Sequence, residues 1–203
     1  SSENSSETYL GLSDEDFADT PYRRYSASQM GDMDWSRLQG KLNYTALLGE
    51  DLEVRVTGYR HIFDRSWRKL NGFSSLARLS ISEVLADPTN PRHALYYDLL
   101  RGTHEWTGAE NERLAIGTNS RTFVTQGVQM VTQWRWEGGS LGNTLEVGVR
   151  YHHDTIERDH TEAEYDMIDG TTVRATSEGF IKQNTGTADA ISAHLFDEFR
   201  IGK

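Results

Sequence analysis

Two groups of residues have types and spacings that could do chemistry. The first is basic and aromatic: Arg23, Arg24 and Tyr25, then Arg65, Trp67, Arg68 and Lys69. Guanidinium groups pair with carboxylates in a planar, bidentate way, and aromatic faces pack the body of a ligand. Such a set suits an anionic ligand. The competing role is structural, because clustered surface charges mostly pair with neighbours or face water. The second group is His152-His153-Asp154 with Glu157 and His160. Adjacent strand residues point to opposite faces, so His152 and His153 cannot share one ion. His152 and Asp154 can, but a zinc site needs a third placed ligand. The acidic stretch 154–178 lacks the Asp-x-Asp-x-Asp-Gly calcium loop and reads as a solvated loop. No metal and no cofactor are expected.

Other chemistry finds no support. Gly-x-Ser-x-Gly, His-Glu-x-x-His and phosphate-loop patterns are missing, so the chain does not read as an enzyme. Asn4-Ser5-Ser6 and Asn43-Tyr44-Thr45 match the glycosylation sequon but carry no weight in this reading. A net charge of −10 disfavours nucleic acid as a partner. With no cysteine in 203 residues, neither a disulfide scaffold nor a thiolate zinc site is open to it. The 9 Tyr, 7 Phe and 5 Trp set it apart from disordered chains. No run of 18 apolar residues marks a transmembrane helix. The charge is uneven: residues 1–34 and 154–178 each carry −6, while 35–153 carry +2.

The elements that must position these residues follow from a period of two. Ser36, Leu38, Gly40, Leu42, Tyr44, Ala46 and Leu48 alternate with Arg37, Gln39, Lys41, Asn43 and Thr45. A strand sends the two sets to opposite faces. Gly49-Glu50-Asp51 makes a turn, and Leu52, Val54 and Val56 resume the alternation. The phase then falters near residues 58–60, which predicts a bulge. Val124, Val128, Met130, Trp134 and Trp136 share one face of a later strand. A turn at 138–143 and a strand through Leu145, Val147, Val149 and Tyr151 follow it. A fifth strand runs through Ile191, Ala193, Leu195, Phe199 and Ile201.

These strands exceed the five or six residues usual in globular sheets. Short turns at 49–51 and 138–143, with long connections at 67–120 and 158–186, fit an outer-membrane barrel. Trp134 and Trp136 then stand where an interfacial aromatic girdle would be. The fold class read from this is all-β, an antiparallel transmembrane barrel segment of about five long strands. The alternative is a soluble β-sheet module that binds carbohydrate or lipid. Short helices are expected in the connections: from Ser13, from a capping box at Ser80 to Glu83, and from Asn90-Pro91 to a stop at Gly102.

Several stretches resemble TonB-dependent outer-membrane receptors. ETYLGLSDEDFADTPYRRYSASQ (7–29) is similar to a strand-end and loop motif of that family. YRHIFDRSWRKLNGF (59–73) resembles its following strand, and DPTNPRHALYYDLLRG (87–102) its long loop. IGTNSRTFVTQGVQ (116–129) and LEVGVRYHHDTIERDH (145–160) resemble the strands after that. The resemblance covers nearly the whole chain in matching order. It implies uptake of a ferric siderophore, or of ferric citrate, across the bacterial outer membrane, without bond chemistry. It implies lipid around the barrel, and a TonB energy-coupling complex acting through a plug. No plug or coupling box is recognisable among the 203 residues, and such barrels have about 22 strands. The expectation is therefore a partial barrel domain over 1–203, with short turns in the periplasm, long loops outside, and Arg23, Arg24, Tyr25, Arg65, Trp67, Arg68 and Lys69 as ligand candidates.

Overall fold

In a computed structural model, which describes residues 1–104 and 106–202, one antiparallel sheet curls into a half-barrel. Its strands are β1 (Ser2–Ser5), β2 (Asp32–Leu48), β3 (Leu52–Phe73), β4 (Leu114–Gly138), β5 (Leu141–Ile168), β6 (Thr171–Arg174) and β7 (Gly179–Ile201). The order is β1-β2-β3-β4-β5-β6, with β7 also on β5 beyond the short β6. Five strands are long, as the alternation predicts. None of the described helices is long and apolar enough to cross a membrane, which says nothing about strands.

Both short turns form, the second tighter than expected. Gly138 faces Leu141, leaving only Gly139 and Ser140 between the strands. Gly139 has φ 63°, the positive value that a II′ hairpin turn needs at its first central residue. The long connections are shorter than expected, because the strands run on. Residues 114–120 belong to β4 and 158–168 to β5. The acidic stretch is therefore mostly strand, not solvated loop. Its charges alternate with Thr161, Ala163, Tyr165 and Met167, so one face stays apolar enough to bury.

The expected bulge near 58–60 is not there. β2 and β3 pair without a break from Asp32↔Arg68 to Leu48↔Leu52. The faltering phase is instead a polar row across the apolar face: Gly40, Arg60, Gln126, His153 and Asp189 lie side by side. The one irregularity of β3 on β4 lies between Leu70 and Gly72. The extra residue flips the alternation, so Phe73 joins Leu114 and Tyr165 on the face that carries Leu70, Ile116 and Ala163.

That upper part of the apolar face carries the core. Helices α1 (Asp14–Asp19), α2 (Ile81–Ala86) and α3 (Ala94–Arg101) lie in the segments beside it. Val84, Tyr96, Leu99 and Leu100 pack with Tyr25 and Ala27 against Phe73, Leu114, Ile116, Ala163, Tyr165 and Met167. Ser13 caps α1, and Ser80 with Glu83 closes the capping box of α2. Asn90-Pro91 opens a turn rather than a helix. His93 and Ala94 bond back to the Asn90 carbonyl, and α3 starts three residues later than expected. Gly102 ends it at φ 77°, the left-handed cap that favours glycine.

Candidate functional site

The sequence candidates divide into two places. Arg23, Arg24 and Tyr25 belong to the cap built by 13–29. Tyr25 is buried, its hydroxyl donating to Asp16 at 2.6 Å. Tyr97 donates to the same carboxylate oxygen at 2.6 Å, and Arg23 pairs with Asp16 from the other side. Burial opposes the Asp16 charge, but the Tyr25 and Tyr97 hydroxyls and the Arg23 charge outweigh it. The carboxyl is held below its ordinary value. Arg24 spans the backbone, donating to the carbonyls of Ser28 at 2.7 Å and Gly31 at 3.3 Å. Arg23 and Arg24 thus bond within their own segment, and Tyr25 joins it to Tyr97.

Arg65, Trp67 and Lys69 stand on the polar face of β3, and Arg68 on the opposite one. Arg68 donates to the Tyr165 hydroxyl at 2.5 Å and so edges the covered core. Trp67 and Tyr9 meet with ring centroids 4.3 Å apart, and the Lys69 ammonium lies 4.5 Å from the Trp67 ring. Cation and aromatic faces are thus brought together at the upper end of the polar face, as the sequence suggests.

The histidine group comes apart as strand geometry demands. His152 and Asp154 lie on the polar face, His153 on the apolar one. His153 bonds Asp189 at 2.8 Å and Thr155 at 3.1 Å. His152 sits in a chain instead. Arg150 donates to the Tyr59 hydroxyl (3.0 Å) and contacts His152 Nδ1 (2.9 Å). The Tyr59 hydroxyl also meets Nδ1 (2.7 Å). Nδ1 therefore accepts, and Nε2–H donates to Asp154 at 2.7 Å. Thr125 completes the chain, donating to Asp154 at 2.7 Å. The Tyr59 ring lies over Gly127, where a Cβ would stand 2.5 Å from its hydroxyl. No group of three or more metal-ligating side chains gathers among the described residues.

Elsewhere the polar face carries paired charges. Glu53 pairs with Arg55, and Glu146 with His194 at 3.1 Å. Beside the His152 chain lies a hollow of about 480 Å³ lined by Phe123, Thr125, Asp154, Ile156, Gly186 and Ala188. Above it run Arg65, Arg121 and Arg158, side by side on neighbouring strands. Sequence reasoning finds Arg65 but misses Arg121, Arg158, Tyr59 and Arg150. The signal for one pair is the tight turn: with Gly139-Ser140 as its centre, Arg121 must face Arg158. No family model matches the chain, and no curated protein matches it.

Proposed function

We propose that this sheet is a wall of an outer-membrane barrel of the TonB-dependent receptor type, which takes up a metal chelate such as a ferric siderophore or ferric citrate. The chelate is cargo, lipid surrounds the wall, and a TonB energy-coupling complex would act through a plug. The reading rests on the resemblance of the strand and loop motifs. One structural observation supports it most: the shape of the bare apolar band.

On β2 the band runs from Leu38 to Leu48, and on β7 from Ile191 to Ile201. Ten residues span roughly 34 Å of strand. At a barrel tilt of about 40° this is roughly 26 Å of height, against the ~25 Å apolar band of outer-membrane barrels. The band is also skewed. Leu38 is level with Ile62, Val124, Thr155 and Thr187, whereas the β7 band stops at Ile191, four residues nearer the turns. Four residues over four interstrand steps of ~4.8 Å correspond to a tilt of about 35°, within the barrel range. A level membrane boundary on tilted strands gives such a skew, while a soluble module has no reason to keep one. Arg60 lies one step inside Ile62, close enough to the boundary for its long side chain to reach polar surroundings.

Tryptophan quenching tests the lipid contact. Trp134 and Trp136 lie on the exposed apolar face, and Trp35 and Trp67 on the other. In vesicles of brominated lipid, Trp134 and Trp136 are expected to be quenched, and variants keeping only Trp35 and Trp67 to stay bright. Equal quenching of both sets, or a chain that remains monomeric in buffer, would sink the proposal. The cargo is tested by growth of a strain lacking the gene on a panel of iron chelates. Unimpaired growth on every one removes the iron assignment.

A further inference from the structure

The register aligns three arginines that are far apart in sequence. Arg65 faces Arg121, and Arg121 faces Arg158. With strands ~4.8 Å apart, the row is about 10 Å long. Among the described residues, none of the three has an ion-pair partner, although the same face pairs Arg55 with Glu53 and His194 with Glu146. Arg121 donates from Nε to Asn119 at 3.1 Å. The Nε atoms of Arg65 and Arg158 are buried and have no hydrogen-bond partner.

The next row toward the turns is Phe63, Phe123 and Ile156, so no counter-charge comes from that side. Arg121 lies above the apolar band. Burial, then the charges of Arg158 and Arg65, hold its guanidinium below the ordinary value. The sequence has ten more acids than bases, yet among the described residues no carboxylate pairs with this row. Like charges on adjacent strands repel, and a buried donor without a partner is costly. Three adjacent guanidinium groups with unpartnered donors are set to pair with an anion.

We infer that Arg65, Arg121 and Arg158 form a carboxylate-receiving site on the polar face, sized for two or three carboxylates spread over about 10 Å. Guanidinium groups pair bidentately with carboxylates, and the row of Phe63, Phe123 and Ile156 offers an apolar floor beside them. The carboxylates come either from a small polycarboxylate or from an acidic protein segment lying against this face. The inference stands on register and pairing, and does not depend on what covers the apolar face.

Isothermal titration on the full chain, in buffer or in detergent micelles, tests it with four probes: tricarballylate, its trimethyl ester, sulfate and poly-glutamate. Saturable binding of tricarballylate is expected, with a silent ester and weak sulfate. Arg121→Gln and Arg158→Gln should each weaken it about tenfold, and Arg200→Gln, near Glu137 and Glu198 at the turn end, should not. Poly-glutamate binding without tricarballylate binding, lost in the same variants, assigns the site to an acidic protein segment. Thermal melts followed by circular dichroism separate folding from binding. If Arg121→Gln does not fold, Arg158→Gln and Arg121→Lys decide. Silence of both carboxylate probes, equal binding of sulfate, or affinity that survives both glutamine substitutions overturns the site.

Discussion

The apolar face of β4 and β5 is covered at one end and bare at the other. Near the loops, Leu114, Ile116, Tyr165 and Met167 lie under α2, α3 and the Tyr25 turn, at 0–3 % exposure. Toward the turns, Val128, Met130, Val147 and Val149 stand on the same face of the same strands, each more than 40 % exposed. The alternation is the same in both places. What differs is the cover: the chain folds its own connections over the upper part and, among the described residues, sends nothing over the lower. Periodicity thus identifies a face that needs covering, without identifying what covers it.

The contrast breaks most sharply at Leu99, which is fully buried at the centre of the cap. Leu99→Ala should cost about 2–5 kcal/mol locally. Amide exchange should rise at 114–116 and 163–167 and stay slow at 128–130 and 147–149. Equal opening of both ends would make them one cooperative unit. The bare end answers to its solvent instead. Val149→Arg should destabilise the chain in lipid vesicles by roughly 2–4 kcal/mol and have little effect in buffer, as denaturant unfolding in the two media would show. A substitution that is silent in lipid means that lipid does not meet this face.

A smaller effect belongs to the Asp16 clasp. Its carboxyl is held below the ordinary value, so its contribution is present above the unfolded carboxylate value near ~4 and is lost as pH falls through the lower folded one. The cap should therefore loosen in acid before the sheet does. Tyr97→Phe removes one donor to Asp16 and should cost about 0.5–1.5 kcal/mol. It should also move the acid transition of the cap to higher pH, read by near-ultraviolet circular dichroism. An unmoved midpoint would detach Asp16 from the cap's acid sensitivity. The smallest change is Ser80→Ala. Loss of the α2 cap should cost roughly 1 kcal/mol and fray 81–86 alone in exchange measurements.

Much of the sheet is legible in the sequence because its period is two and one face is apolar. The Leu38–Leu48 and Leu145–Tyr151 runs therefore reveal their faces directly. Two kinds of feature are hidden. Where charge is dense, as at Glu157, Asp159, Glu162, Glu164 and Asp166, acidity masks an alternation that Ala163, Tyr165 and Met167 complete. Features that exist only across strands cannot be seen along one strand. Arg60 looks like a lost phase until Gln126, His153 and Asp189 line up beside it. Arg65, Arg121 and Arg158 are three unrelated letters until the register joins them. Arg23, Arg24 and Tyr25 look like ligand groups because no local signal shows Tyr25 sinking into a core with Tyr97, seventy-two positions away.

The two tight turns also set an order of assembly. β2 with β3, and β4 with β5, are paired continuously outward from their turns, so each hairpin can close with every new pair adjoining the last. Joining the two hairpins is a different event, because β3 and β4 are separated by residues 74–113. Bringing the ends of so long a connection together costs chain entropy, and such non-local pairing slows folding. The capped helices α2 and α3 in that connection shorten the effective span as they collapse onto one another. The loop cover would then act first as a clamp that makes the slow pairing fast, and only afterwards as part of the finished surface.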